Sequence, residues 1–239
     1  MNKTEVKLDY SLCEETAVGL PVIIVAAGSS SRMGQNKQLL ELGGIPVIAR
    51  TLLRFENCSK IKNIILVVRT EDIFTLQLLA EKYGITKISD IICGGENRQE
   101  SVLKGFSRLD EKDEAVLIHD GARPLITDGI ICAVADALEK YTAVTCAVRV
   151  KDTVKQVDEN GKVIKTLDRS SLVAVQTPQG VRIKEYLCAV EKAGDVSAFT
   201  DDTSLMEAAG YEVYIVEGDY KNIKITTPED IFAAESFLE

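Results

Sequence analysis

Directly after a short β-branched run the chain reads Ala26-Ala27-Gly28-Ser29-Ser30-Ser31-Arg32-Met33-Gly34, continued by Gln35-Asn36-Lys37-Gln38. A loop of small residues at the end of a strand can turn its backbone N–H groups toward phosphate oxygens. Arg32 and Lys37 would add fixed positive charge to it. The loop is no Walker A motif, because Gly28 and Gly34 stand too far apart and no Lys-Ser/Thr pair follows. Nor is it a dinucleotide fingerprint, since Ser30 takes the place of the second glycine in G-x-G-x-x-G. On composition alone a strand-to-loop turn carrying two solvated cations is the other reading. Asp120 closes a second apolar run, Ala115–Ile118, so its carboxylate should emerge at the carboxyl edge of a sheet, where open α/β folds bind ligands. There it would serve a metal or substrate hydroxyls, or else bond the N–H groups of its own turn. His119 is the single histidine, which excludes a multi-histidine zinc site. The cysteines Cys13, Cys58, Cys93, Cys132, Cys146 and Cys188 form no CxxC pair and read as buried free thiols rather than disulfides.

The elements that must position these groups follow from periodicity. Strands are predicted at Val22–Ala26, Ile64–Val68, Ile88–Cys93, Ala115–Ile118, Ala143–Val148, Leu172–Gln176 and Val213–Val216. Between them, Pro46–Phe55, Asp72–Tyr83 and Ser101–Leu109 carry helical signals, with Pro46 at a helix start. Thr127 should cap a helix over Asp128–Tyr141, and Thr227-Pro228 should start one that runs through Phe237. The alternation implies an α/β fold, a single Rossmann-like domain over 1–239 with a mostly parallel, helix-covered sheet and an N-terminal extension at 1–20. One segment breaks the pattern: Thr153–Val157, the turn Asp158-Glu159-Asn160-Gly161, and Lys162–Leu167 make a hairpin with no neighbouring helix to cover it. Such an arm serves a partner chain or an active-site rim, or lies as an edge ribbon on its own domain.

The chain has 239 residues, 28 basic and 37 acidic, for a net charge of −9, which argues against a nucleic-acid partner. Its 46% hydrophobic content suits a globular protein and opposes disorder. No apolar run approaches the ~18 residues of a membrane helix, and MNKTEVKLDY lacks an apolar leader core, so a cytoplasmic protein without a membrane partner is expected.

At its first loop the sequence resembles the nucleotidyltransferases that activate sugar and polyol phosphates, whose opening motif is A-A-G-x-x-x-R-M-G followed by a lysine. The resemblance runs through nearly the whole chain. Gly94-Gly95-Glu96-Asn97-Arg98-Gln99-Glu100-Ser101 is similar to the second nucleotide loop of that family, and His119-Asp120-Gly121-Ala122-Arg123-Pro124 to its HD-x-A-R-P segment. Lys151-Asp152-Thr153, Asp168-Arg169, Gln176-Thr177-Pro178-Gln179, Thr200-Asp201-Asp202 and Asn222-Ile223-Lys224-Ile225-Thr226 follow in the order of the cytidylyltransferase branch. Two positions depart from the pattern: Asn36 replaces a common proline, which would loosen the loop, and Val181 replaces a common aromatic.

The resemblance implies attack by a substrate phosphate oxygen on the α-phosphorus of CTP, with loss of pyrophosphate and with Mg²⁺ bridging the triphosphate oxygens. A phosphate dianion needs no protein nucleophile and no base, so His119 is expected to pack or to bond its loop. By the same resemblance Arg32, Lys37 and Lys224 are catalytic. Ala26, Ala27, Gly28, Gly95, Glu96, Arg98 and Ser101 bind the nucleotide, while Asp120, Arg123, Thr153, Arg169, Thr177 and Thr200 bind the polyol phosphate, Asp120 also being a candidate metal ligand. Read without the family, Gly94-Gly95 is a turn, Ser101 a helix cap, and Thr200-Asp201-Asp202 a cap as well. The HDGARP wording favours 2-C-methyl-D-erythritol 4-phosphate over ribitol 5-phosphate as acceptor. Retention of Arg32 and Lys37 speaks against a silent nucleotide-binding or glycosyltransferase-like module, since binding alone does not need charges aimed at the reacting phosphorus. The uncovered arm, 152–169, is expected to build a homodimer and to deliver Thr153 and Arg169 to the partner's site.

Overall fold

The computed structural model describes residues 19–28 and 36–238. The expectations for most of the N-terminal extension, for Cys13 and for the loop residues 29–35, Arg32 among them, lie outside the described residues.

Seven strands form the central sheet. β1 (Leu20–Val25) lies inside the sheet, followed outward on one side by β4 (Ile61–Val68) and β5 (Ile88–Cys93), all parallel. On its other side come β6 (Ala115–Asp120), β10 (Val173–Arg182), β7 (Ala143–Arg149) and the edge strand β11 (Val213–Glu217). Only β10 runs antiparallel, against both β6 and β7. The chain therefore leaves β1 toward β5 and returns to β6 on the opposite side. This reversal opens a crevice at the carboxyl ends of β1 and β6, where such sheets bind ligands. Val25 pairs with Asp120 at that edge, so the first loop and the Asp120 turn start side by side.

Strand residues alternate between two apolar layers, as the two-residue period requires. Val22 and Ile24 face a layer containing Ile48, Leu52 and Phe55 of α1 (Val47–Glu56), Leu76 and Leu79 of α2 (Ile73–Lys82), and Ile130, Ile131 and Val134 of α4 (Asp128–Ala137). Ile23 faces the other layer, with Val102 and Phe106 of α3 (Arg98–Phe106), Tyr186 and Ala189 of α5 (Ile183–Ala193), and Leu205 and Met206 of α6 (Asp202–Ala208). Val181 is fully buried in this second layer, so the missing aromatic is absorbed by the core. A third, small cluster packs α7 (Pro228–Ser236) through Ala234 onto Leu42, Val47, Ala122, Leu125 and Ile225. A miniature hairpin, β2 (Glu41–Leu42) and β3 (Ile45–Pro46), contributes Leu42.

Several boundaries differ from expectation. The third helix begins at Arg98 rather than Ser101, because Asn97, not Ser101, is the cap: its side chain accepts from the Glu100 N–H at 2.9 Å. β10 continues to Arg182, through the cis Thr177–Pro178 peptide and a register shift between Val175 and Gln179. The arm forms as expected, β8 (Lys155–Val157) against β9 (Val163–Thr166), with Gly161 at φ +79° in its turn. It pairs with no strand of the main sheet, and every residue of both its strands is exposed in the single chain. Among the described residues no helix is long and apolar enough to cross a membrane.

Candidate active site

A cavity of about 350 Å³ opens at the β1–β6 crevice. Ala27, Gly28, Lys37, Gly95, Glu96, Arg98, Ser101, Asp120 and Lys224, distant in sequence, line it together. Ala26 does not: its side chain is buried in the first apolar layer. A second cavity of about 240 Å³ shares Arg98, Asp120 and Lys224 with the first and adds Arg123, Thr177 and Thr200. Thr153 and Arg169 line neither. They are exposed at the base of the arm, where Arg169 donates to the Lys151 carbonyl.

The floor of the first cavity depends on close backbone approach. A Cβ at Gly94 would fall 2.3 Å from the Ala27 Cβ and 2.8 Å from the Ser101 Oγ, so only glycine lets the two loops touch. Ser101 then holds the second loop, accepting from the Gly95 N–H at 3.0 Å and donating to the Asn97 carbonyl at 2.9 Å. Behind the first loop, Asn36 donates to Asp72 at 2.9 Å and accepts from the Gln38 N–H, while Arg69 grips Asp72 through two nitrogens. Asn36, which stands where the family commonly has proline, is thus tied to Asp72 and to the Gln38 backbone, and the loop it was expected to loosen lies outside the described residues. Lys37 donates to the Ile225 carbonyl at 3.1 Å, and the Ile225 N–H donates to the Ala122 carbonyl. These bonds bring the segment bearing Lys224 alongside the Asp120 turn.

Asp120 is the electrostatic centre. Its carboxylate meets Lys224 Nζ at 2.9 Å, Arg98 Nε at 3.2 Å and Arg123 Nε at 3.6 Å. Burial alone would raise its pKa, but Arg98, Lys224 and Arg123 outweigh burial and hold it well below the usual carboxylate range. Burial likewise disfavours the charge on Arg98; Asp202, 2.8 Å away, and Asp120 overcome it and hold the guanidinium pKa above its ordinary value.

The strand end is fixed by a short relay. The Arg123 carbonyl can only accept, so His119 Nε2 donates to it at 3.3 Å, and Nδ1 accepts from the Thr177 hydroxyl at 3.0 Å. Thr177 Oγ1 in turn accepts from the Asp120 N–H at 3.1 Å. Burial pushes His119 down to about 3, so the ring is neutral, and its two hydrogen bonds brace the loop, as expected.

Sequence reasoning passed over the support of Arg98. Asp202, fully buried, also accepts from Tyr186 at 2.9 Å, and its N–H donates to Gln179. The available signal was the doubled acid Asp201-Asp202, of which Asp201 caps α6 and Asp202 faces inward. Four cations, Lys37, Arg98, Arg123 and Lys224, thus line two adjoining cavities of an acidic protein, with Glu96, Asp120 and Asp201 beside them and Asp202 buried behind Arg98. Such a site suits two anionic groups, one in each cavity.

An open α/β sheet with cations gathered around two adjoining cavities at its switch point matches the architecture expected of the sugar- and polyol-phosphate nucleotidyltransferases. The family model for IspD, 2-C-methyl-D-erythritol 4-phosphate cytidylyltransferase, matches residues 20–239, and the chain belongs to that family. It is 46% identical over 221 residues to the 2-C-methyl-D-erythritol 4-phosphate cytidylyltransferase of Bacillus cereus, covering 91% of this chain and 96% of that one. Identity to the protein of the same name from Geobacillus thermodenitrificans is 47% over 219 residues, 90% and 95% of the two chains. The crystal structure of 4-diphosphocytidyl-2C-methyl-D-erythritol synthase from Anaerococcus prevotii superposes with a TM-score of 0.83 at 34% identity, covering 93% of this chain and 96% of that one.

Proposed function

We propose that this chain transfers the cytidylyl group of CTP to 2-C-methyl-D-erythritol 4-phosphate, releasing pyrophosphate, in isoprenoid precursor synthesis. The observation that carries the reading is the pair of cavities sharing Arg98, Asp120 and Lys224. The first takes the triphosphate against the backbone of Ala27, Gly28 and Gly95, with Lys37 on one side and Lys224 on the other. The second takes the polyol phosphate at Arg123, with Thr177 and Thr200 toward its hydroxyls. Holding two anions within reach and countering the charge that builds at the α-phosphorus are the work of the side chains. The attacking phosphate oxygen carries no proton to remove, in keeping with a neutral, enclosed His119.

The donor set fits a hard cation held mainly by phosphate oxygens: Asp120 is the one carboxylate common to both cavities, and its two oxygens already face Lys224, Arg98 and Arg123. Asp120 would hold Mg²⁺ there, and the ion would supply neutralising charge to the bound triphosphate. Thr153 and Arg169, remote from both cavities of their own chain, serve the second cavity of a partner in a homodimer formed through the 152–169 arm. The exposed Val157, Val163 and Ile164 support this reading, since a two-stranded ribbon is marginal without cover.

The test measures pyrophosphate release with each of the four ribonucleoside triphosphates, crossed with methylerythritol 4-phosphate and ribitol 5-phosphate. Turnover confined to CTP with methylerythritol 4-phosphate supports the proposal. Preference for ribitol 5-phosphate, or for a purine nucleotide, overturns it.

A further inference from the structure

On the face of the sheet covered by α1 and α4, away from both cavities, three metal-capable side chains converge. Cys58 lies in the turn between α1 and β4, while Asp128 and Cys132 sit one helical turn apart at the start of α4. Their ligand atoms all lie within 4.8 Å of one another, and the two sulfurs are 3.9 Å apart. Two thiolates on a tetrahedral Zn²⁺, with Zn–S about 2.3 Å, stand about 3.8 Å apart. A disulfide would instead require them to close to about 2.05 Å. In the metal-free chain this contact is a thiol–thiol hydrogen bond, and its length already matches the separation that two thiolates on one metal ion need.

The surroundings favour a preformed site. The Cys58 turn is pinned on its backbone: its N–H donates to the Phe55 carbonyl, and its carbonyl accepts from the Ile61 N–H at 3.2 Å and from Lys87 Nζ at 2.7 Å. Burial covers Cys58, whereas Cys132 is half-buried and Asp128 exposed, which leaves one open side for entry and for a water ligand. The neighbouring ammonium of Lys60 is paired with Asp136, one turn further along α4, which limits its repulsion of a cation.

We propose that Cys58, Cys132 and Asp128 bind one thiophilic divalent cation of the Zn²⁺ type, with water as fourth ligand. Both thiol protons leave to solvent as the two metal–sulfur bonds form, so no oxidant or reductant is involved. Occupancy would clasp the α1–β4 turn to the first turn of α4. Thr127, which caps that helix, lies four residues beyond Arg123, so the clasp would stiffen the loop that carries a substrate-site residue.

The experiment uses the full chain, stripped of metal and kept in reductant, titrated with Co²⁺ and separately with Zn²⁺. Expected are a near-ultraviolet thiolate-to-cobalt band saturating at one ion per chain, and a rise in Tm of about 5–10 °C at free Zn²⁺ near 100 times Kd. Cys132→Ser should abolish both effects, Asp128→Asn should weaken binding while keeping the band, and Cys188→Ser, on α5, should change neither. Absence of the band, its persistence in Cys132→Ser, or an equal Zn²⁺-induced rise in that variant overturns the proposal. So does a Cys58–Cys132 disulfide that forms in air from a protein giving no cobalt band under reductant.

Discussion

Replacing Asp120 by Asn keeps the shape of the side chain and removes the charge that three cations share. Breaking a buried ion pair costs about 3–5 kcal/mol when the partner is left uncompensated. Here Arg98 retains Asp202 at 2.8 Å, Arg123 retains its bond to the Asn222 carbonyl at 2.8 Å, and Lys224 is 37% exposed, so water screens it. The discount brings the expected loss to about 2–3 kcal/mol, or a fall in Tm of about 4–12 °C for a chain of this size. The sign with pH is fixed by the depressed carboxyl of Asp120. Its stabilisation is fully present above the unfolded pKa of about 3.9 and is lost only as pH falls through the lower folded value. The gap between wild type and Asp120→Asn should therefore stay constant from pH 5 to 8 and narrow below about pH 4. Thermal melts of ligand-free protein across that range measure it. Equal melting temperatures at pH 7, or a gap that closes between pH 7 and 5, would refute the assignment of Asp120 as the shared counter-ion.

Lys37→Ala and Arg32→Ala should each lower kcat by about 10²–10³, as loss of a charge-assisted transition-state donor does, and a rise in KM for CTP at constant kcat would make them ground-state binders instead. Because burial pushes His119 down to about 3, the unfolded chain takes up a proton that the folded chain refuses between about pH 3 and 6.5. Wild-type stability should thus fall by up to about 1.4 kcal/mol per pH unit below 6.5 from this group alone, and His119→Gln, followed by thermal melts at pH 5 and 7, should lose that dependence. Arg32→Ala and Arg169→Ala should each be inactive, yet refolding an equal mixture should restore about one quarter of wild-type sites, because half the dimers are hybrids with one intact site each. A mixture as inactive as its parents, with hybrids shown by native mass, would return Arg169 to its own chain.

Much of the fold was legible because β-branched runs such as Ile88–Cys93 and caps such as Thr127 act locally; the fifth strand has the predicted bounds residue for residue. Helix α5 was not seen because Ile183–Ala193 follows β10 without a turn signal and buries only Tyr186 and Ala189. The cap lies at Asn97 rather than Ser101 because Asn97 competes for the role two residues after a glycine pair, and tertiary contact of Gly94 with Ala27 fixes where the loop ends. Within the site, Lys37, Arg98, Asp120 and Lys224 were named from motifs, and the structure adds their convergence on one carboxylate. The Arg98–Asp202 and Asn36–Asp72 pairings escaped because contacts across such separations leave no periodic trace in a single sequence. The exposed Cys93 also departs from the buried thiols expected, since the last residue of β5 turns its side chain out beside Thr70.

The central claim is that the site holds two anions for direct displacement and offers no nucleophile of its own. It is tested most directly by the stereochemistry at the α-phosphorus, using one diastereomer of the α-thio analogue of CTP with methylerythritol 4-phosphate and reading the configuration of the product. A single in-line attack by the substrate phosphate predicts inversion. Retention would require a covalent cytidylyl-enzyme intermediate, and with it a side-chain nucleophile that this account does not contain.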